Sequence, residues 1–269
     1  MCILCLYYSP DEGDYLLIAA DNRDEVFERP TAQADFWRDH STVLAGRDLQ
    51  VPNGGTWFGV TVDGRFSVLT NFRQDPKDIN PNAESRGHLV SDYLTGKTSP
   101  LDYCKQIDGQ KFNGFSLITA DLCGKGGVAY RSNYDPSGSR LLGPGVYGLS
   151  NSTLDSPWHK VKRGKETFAD IVKSPDSNLT DRLLKLLSDD TSCWPDPAIP
   201  SAGIPEEFGR NASAIFVNPC AVPKGTYGTR TQTILTVTRG GLVSYTERTF
   251  SIETSQWNTI SHTFQLCLQ

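Results

Sequence analysis

The chain opens with Met1-Cys2-Ile3-Leu4-Cys5-Leu6-Tyr7-Tyr8, an apolar run typical of a buried strand. The turn-forming residues 9–13 follow it, and residues 15–20 form a second strand-like run, so this stretch predicts a β-hairpin. If Met1 is removed, Cys2 carries both a thiol and a free α-amine, whose pKa of about 7.7–8.0 suits it to accept the thiol proton. The alternative is a small residue that only opens a buried strand.

The rest of the chain continues in strand, helix, strand order. A second hairpin is predicted at 56–62 and 65–71, with Asp63-Gly64 as a two-residue type I′ turn. Apolar periodicity predicts helices at 84–94, 101–107, 158–172 and 179–187, a loop at 194–205, and strands at 114–120, 126–130, 213–217, 232–238, 242–250 and 257–266. This order favours an α+β fold with stacked sheets and outer helices, and without a linker we expect one domain over 1–269.

Composition excludes several classes of function. The 269 residues carry a net charge of −5, which argues against a nucleic-acid binder and favours a small-molecule partner. Seven scattered cysteines do not form a disulfide framework, and Cys2 and Cys5 lack the second ligand pair that a zinc site needs, so no metal is expected. Without a basic region before the first apolar run, and without a membrane-length apolar segment, we expect an intracellular protein.

Polar residues cluster where the predicted strands end. Asn22-Arg23-Asp24-Glu25 is predicted to form the turn after the second strand, near the Cys2 thiol. Asn71 and Asn151 end other strands, and Arg230 lies in Gly228-Thr229-Arg230-Thr231-Gln232. Rigid strands commonly hold functional side chains at their ends, so these residues predict a site. The alternative is a solvated loop with an internal salt bridge.

Motifs along nearly the whole chain carry a family resemblance. They are Met1-Cys2-Ile3, Asn22-Arg23-Asp24-Glu25 with Arg29-Pro30, Asp35-Phe36-Trp37, Gly54-Gly55-Thr56-Trp57, Tyr147-Gly148-Leu149-Ser150-Asn151, Pro195-Asp196-Pro197-Ala198, Tyr227-Gly228-Thr229-Arg230-Thr231 and Thr246-Glu247-Arg248. With these motifs the chain resembles the NRDE family, also called the transport and Golgi organization protein 2 family. The resemblance implies the αββα four-layer sandwich of N-terminal-nucleophile hydrolases.

Comparison with the cysteine acylases of that superfamily implies catalytic roles. Cys2 matches their nucleophile and Asp24 the carboxylate that orients its amine. Asn71 and Asn151 resemble their asparagines, the latter that of the oxyanion hole, and Arg230 resembles their late arginine.

One position departs from the acylase pattern, because Asp21 stands where those enzymes usually carry an arginine, and Arg23 lies on the other side of it. A wider ligand-binding set is expected from the four-residue motif and from a basic patch after Asn151. Its members are Asn22, Arg23, Glu25, Lys160 and Arg163. The patch also contains Lys162 and Lys165, and its alternative explanation is a solvated helix face.

The resemblance implies intracellular binding and trafficking of a hydrophobic, anionic metabolite, either haem or an acyl-CoA or lipid, with effects on mitochondria and the secretory pathway. No cofactor is required; haem would be non-covalent cargo, with His40, His88, His159 and His262 as the histidines available to its iron. The enzymatic alternative is a cysteine amide hydrolase that cleaves C–N bonds with Cys2. We expect a cytoplasmic location, with mitochondrial and Golgi or ER association through peripheral membrane contact.

Overall fold

Two antiparallel sheets form the centre of the computed structural model, which describes residues 2–124, 126–199 and 205–266. In sheet A the spatial order is β10 (Gly145–Leu149), β1 (Ile3–Tyr8), β2 (Tyr15–Val26), β12 (Gly225–Thr238), β13 (Leu242–Ser251) and β14 (Gln256–Gln265), and β11 (Cys220–Val222) also pairs with β12. In sheet B it is β3 (Thr31–Phe36), β4 (Val43–Asp48), β5 (Phe58–Thr61), β6 (Arg65–Asn71), β7 (Phe115–Asp121), β8 (Gly127–Ser132) and β9 (Arg140–Leu142).

Helices cover the outer faces of both sheets. The helices are α1 (Gly87–Thr95), α2 (Pro100–Gln106), α3 (His159–Lys173), α4 (Leu179–Leu187) and α5 (Glu206–Ala212). Helices α1 and α2 pack on sheet B, whereas α3 and α4 pack on sheet A. The described part of the chain therefore forms four layers, and the expected αββα sandwich is confirmed. None of its helices is long and apolar enough to cross a membrane.

Side-chain alternation along β1 explains the layers. Leu4 and Leu6 are buried between the two sheets, whereas Ile3 and Cys5 are buried against the helices on the outer face of sheet A. A strand with apolar residues on both faces has to lie inside the sandwich. β1 accordingly pairs with β10 on one side and with β2 on the other.

The four-residue motif at 22–25 does not form a turn, so that prediction was wrong. Strand β2 continues through the motif to Val26 and stays paired with β12, as far as Val26 opposite Tyr227. Buried partners on both faces satisfy the polar side chains, and this allows a polar run to remain in a central strand. Arg230 likewise lies inside β12, at a bulge between Thr229 and Thr231, rather than at a strand end.

The turn after β5 also differs from its prediction. Val60 pairs with Phe66, so the loop contains the three residues 62–64 and not two. Only Gly64 there has a positive φ, of 87°, whereas a type I′ turn needs two such residues.

Other differences concern weakly patterned segments. Residues 213–217 form no strand, and β3, β4 and α5 arise where no element was predicted. The predicted loop at 194–205 falls partly outside the described residues; α5 follows it directly, beginning at Glu206.

Candidate functional site

A cleft of about 430 Å³ lies where the ends of β1 and β2 face the end of β6. Its polar lining includes Cys2, Arg23, Asp24, Glu25, Asn71 and Arg86, and its apolar lining includes Val51, Trp57, Leu69, Ile79 and Ala83. Both sheets contribute side chains, so the cleft opens between the two central layers. Cys2 and three of the four motif residues, Arg23, Asp24 and Glu25, thus line one cavity. Asn22, the remaining motif residue, does not line it.

Cys2 immediately precedes β1, and its carbonyl accepts a 2.7 Å hydrogen bond from the Ser150 hydroxyl. Burial is the largest of the effects that together raise the pKa of the Cys2 thiol to about 11, and the charges of Asp24 and Asp21 act in the same direction. The thiol is therefore almost entirely protonated near neutral pH.

Asp24 is fixed by a buried hydrogen bond. The hydroxyl of Thr229 donates to Asp24 Oδ1 at 2.6 Å, and the same hydroxyl accepts from the backbone N–H of Val217 at 2.8 Å. Burial raises the pKa of Asp24, whereas the ammonium group of Lys160 lowers it. Lys160 is itself buried and donates to the Ala212 carbonyl at 3.1 Å. The carboxyl group of Asp24 and the amine of Lys160 thus interact electrostatically in the interior, near Cys2.

Arg23 and Glu25 form the charged part of the cleft. The Arg23 guanidinium lies 4.2 Å from the centre of the Trp57 ring, and its Nη2 is 3.8 Å from Glu25 Oε2. Burial lowers the pKa of Arg23, although Glu25 and Cys2 counteract this. The cation–π contact fixes the guanidinium at the cleft.

The two asparagines occupy different places. Asn71 is the last residue of β6 and lines the cleft. Asn151 is buried behind it, and its Nδ2 donates to the Asn71 backbone carbonyl at 2.7 Å. In this geometry Asn151 positions the strand end that carries Asn71.

Two of the expected site residues do not line the cleft. Asn22 is buried on the helix side of β2, where its Nδ2 donates to the carbonyls of Leu187 and Ile215 at 2.8 and 2.9 Å. Arg230 donates from Nη1 to the carbonyls of Val26 and Arg29 at 3.2 and 2.7 Å, and burial lowers its pKa to about 10. Both side chains therefore link separate backbone segments through hydrogen bonds to their carbonyl groups.

The expected basic patch is not one exposed surface, because Lys160 is buried. Arg163 forms an ion pair with Asp189 at 2.6 Å, and Lys165 forms one with Asp155 at 2.9 Å. Arg163 lines a different cavity from the cleft. Lys160, Lys162 and Arg163 line this separate cavity together, so the basic residues do not extend to the cleft beside Cys2.

Arg86 lines the cleft, although no motif marked it. It lies directly before α1, where its Nη1 donates to the Gly114 carbonyl at 2.9 Å. Burial lowers the pKa of Arg86, and the nearby Cys2 raises it. A charged residue at a helix start is ordinarily solvated, so the sequence carried no signal for this position.

A row of buried polar side chains extends from the cleft into the core. Asp21 is buried two residues before Arg23 on β2, and its Oδ1 has no hydrogen-bond partner among the described residues. Burial raises the pKa of Asp21 well above its usual value. Glu247 is buried nearby and accepts from the Ala34 backbone N–H at 2.9 Å, and burial raises its pKa too.

No described group of three or more His, Cys, Asp or Glu side chains is arranged to hold a metal ion. The histidines also lie apart from the cleft, since none of the four lines it. A haem bound there would be held through the Cys2 sulfur or through its propionates and ring.

The model of one protein family, described as Transport and Golgi organisation 2, matches residues 1–252. This chain belongs to that family. A Bos taurus relative, Transport and Golgi organization protein 2 homolog, is 38% identical over 99% of both chains. Transport and Golgi organization protein 2 of Drosophila melanogaster is 29% identical over 93% of both. The family resemblance drawn from the sequence motifs is confirmed.

Among solved structures, the chain is similar to a C2A mutant of conjugated bile acid hydrolase from Clostridium perfringens, with a TM-score of 0.44, 10% identity, and coverage of 98% of this chain and 97% of that one. It is also similar to a Caenorhabditis elegans ortholog of N-acylethanolamine-hydrolyzing acid amidase, with a TM-score of 0.46, 12% identity, and coverage of 70% and 86%.

Proposed function

We propose that this member of the Transport and Golgi organisation 2 family binds and moves an amphipathic, anionic metabolite of the acyl-CoA or haem type in the cleft beside Cys2. The observation that carries the proposal is the shared lining of one cavity by Arg23 and Arg86 together with Trp57 and Leu69. A guanidinium pairs with carboxylate or phosphate through two N–H donors, and the aromatic and aliphatic surface suits an acyl chain or ring.

The size of the cleft and the hydrogen-bond donors of Arg86 support this ligand class. Its volume of about 430 Å³ lies within the range of small-molecule sites. Arg86 makes one hydrogen bond to the described chain, to Gly114, so its remaining N–H donors can serve a ligand. Because the four histidines lie elsewhere, a haem in the cleft would lack a histidine ligand, whereas an acyl-CoA needs none.

The protonation of Cys2 favours binding over catalysis. A thiol with a pKa of about 11 is a poor nucleophile near neutral pH. We propose that the protein acts from the cytoplasm and meets mitochondrial and secretory membranes through peripheral contact, where it supports lipid homeostasis.

Calorimetric titration with a medium-chain acyl-CoA and, separately, with haemin tests the proposal. We expect saturable binding of at least one probe, and Arg86→Gln should weaken it about tenfold through the loss of a charge-assisted pair. Arg38→Gln is the matched control, because Arg38 is exposed and does not line the cleft. The proposal fails if neither probe binds, or if both variants bind equally well.

A cysteine amide hydrolase is the second candidate, favoured by the fixed position of Asp24 beside Cys2. After removal of Met1, the α-amine would take the thiol proton, the sulfur would attack the amide carbonyl, and the amine would protonate the leaving nitrogen. Water would then hydrolyse the thioester. Asp24 would orient the amine, and the Asn71 amide would donate to the oxyanion.

Intact-mass spectrometry separates the two candidates. With a fatty-acyl anilide as the probe, the hydrolase predicts loss of Met1 and an acyl adduct that is absent in Cys2→Ala. Carrier function predicts that Cys2→Ala still binds acyl-CoA with little change. Release of aniline at the same rate by wild type and Cys2→Ala would exclude Cys2 as the nucleophile.

A further inference from the structure

A second thiol lies outside the cleft, next to an imidazole. Cys193 is exposed, and its Sγ is 3.0 Å from Nδ1 of His159. His159 is the first residue of α3, so the pair lies at the N-terminus of a 15-residue helix. A base within hydrogen-bond distance of a thiol can accept its proton as the sulfur attacks.

A buried carboxylate completes the cluster. Asp196 Oδ2 lies 3.6 Å from the same Nδ1 of His159, and the side chain of Asp196 is only 1% exposed. It also accepts the His159 backbone N–H at 2.7 Å and, through Oδ1, that of Ala198 at 2.9 Å. The carboxylate therefore lies where it can stabilise an imidazolium that forms when His159 takes the thiol proton.

The cluster opens onto a cavity of its own. Its volume is about 440 Å³, and its lining includes Cys193, His159, Lys162, Arg163 and Thr191. None of the residues that line it also lines the cleft at Cys2. Arg163 is paired with Asp189, so the exposed ammonium group of Lys162 is the charge that would attract a partner that carries carboxylates.

We propose that Cys193 is a thiol-modification site that forms mixed disulfides with small, carboxylate-bearing disulfides, with His159 as its base. The proton passes from Cys193 Sγ to His159 Nδ1, and the thiolate attacks one sulfur of the small disulfide. A protein–S–S bond forms as the S–S bond of the reagent breaks, and the departing thiolate takes the proton from His159. One disulfide is consumed and one is formed, so no further oxidant is needed.

The test uses oxidised glutathione as the probe and peptide-resolved mass spectrometry to follow each cysteine over time near neutral pH. Cys220 is the internal comparison, because it is a half-buried thiol whose hydrogen bond is to the Tyr227 carbonyl. We expect Cys193 to react at least about tenfold faster than Cys220, and His159→Gln to slow it about tenfold.

Lys162→Gln tests the preference for a carboxylate-bearing reagent. It should slow the reaction with oxidised glutathione and leave the reaction with uncharged hydroxyethyl disulfide unchanged. The proposal is overturned if Cys193 and Cys220 react at equal rates in the wild type, a comparison that holds even if His159→Gln impairs folding. It is also overturned if a folded His159→Gln variant reacts as fast as wild type.

Discussion

Asp21 and Glu247 flank a single residue, Thr233, which is the register partner of Asp21 on β2 and of Glu247 on β13. Burial is the main cause that raises the pKa of both carboxyl groups, and the charge of Glu247 raises that of Asp21 further. Thr233 Oγ1 and Asp21 Oδ1 both lack hydrogen-bond partners within the described chain. The core beside the cleft therefore contains two carboxyl groups that favour the protonated form.

This pair predicts a fall in stability as pH rises. Above the ordinary carboxyl pKa values of 3.8 and 4.5, the folded protein keeps protons that the unfolded chain has released. The free energy of unfolding thus decreases with rising pH until the raised folded pKa is passed. Asp21→Asn removes the contribution of Asp21 to this decrease. Relative to wild type, the free energy of unfolding of the variant should therefore rise by about 1.4 kcal/mol for each pH unit within this window.

Urea unfolding at a series of pH values measures this effect. Asp14→Asn is the control, because Asp14 is exposed and its replacement should leave the pH dependence of wild type unchanged. An Asp21→Asn protein with the same slope against pH as wild type would contradict the role of the buried carboxyl.

Thr229 and Thr231 on β12 offer a matched pair of substitutions. Thr229→Val removes the hydrogen bonds to Asp24 and to the Val217 N–H, so the free energy of unfolding should fall by about 1–3 kcal/mol. Thr231→Val should be neutral or stabilising, because its buried Oγ1 has no partner among the described residues. Denaturant unfolding of both variants checks the difference, and equal losses would count against the Asp24 bond.

Lys160 and Lys162 lie two residues apart on α3 but differ in burial. Lys160→Met removes the hydrogen bond to Ala212 and the positive charge near Asp24, so it should cost about 1–3 kcal/mol. Lys162→Met, at an exposed position, should stay within about 0.5 kcal/mol of wild type. Thermal unfolding of the two variants measures this contrast; a similar melting temperature for both would show that the buried amine contributes nothing.

The raised pKa of Cys2 predicts the pH dependence of its alkylation. With a pKa of about 11, the rate of reaction with iodoacetamide should rise about tenfold for each pH unit above neutrality until that value is approached. Where the pH exceeds the raised pKa of Asp21, its charge opposes the Cys2 thiolate, so Asp21→Asn should speed the reaction in that alkaline range, whereas Asp14→Asn should not. Peptide mapping of the Cys2 adduct measures the rate, and a fast reaction independent of pH would refute the expectation.

The layers and the first hairpin were predictable because they depend on local apolar patterns. Helix α4, for example, covers Leu179–Leu187, the range that periodicity predicted. The sequence prediction ended the second strand at residue 20 because polar residues such as those at 22–25 normally indicate a loop. Only the structure reveals the buried hydrogen-bond partners of these polar side chains. Helix α5 was missed because it is short, contains Gly209 and follows a proline-rich stretch.

The site was predictable where a motif existed and not elsewhere. Cys2 and Asp24 were placed together by the hairpin and by family resemblance, whereas Arg86 comes from another layer and no local pattern brings it to Cys2. Lys160 did carry a signal that was overlooked. It lies four residues before Gly164 and eight before Phe168, both buried, so helical periodicity assigns it to the buried face of α3.

The bulge at Arg230 has a consequence for insertions and deletions. Thr229 pairs with Asp24 and Thr231 with Arg23, so two residues that would share a face in a regular strand face opposite sides here. Deleting Arg230 would make Thr229 and Thr231 adjacent and leave both opposite the same partners and on the same faces, so the strand would lose only its bulge and the Arg230 hydrogen bonds to Val26 and Arg29. Deleting a regularly paired residue of β12, such as Leu235, would instead turn every side chain on one side of it to the wrong face. Position 230 should therefore accept removal better than Leu235.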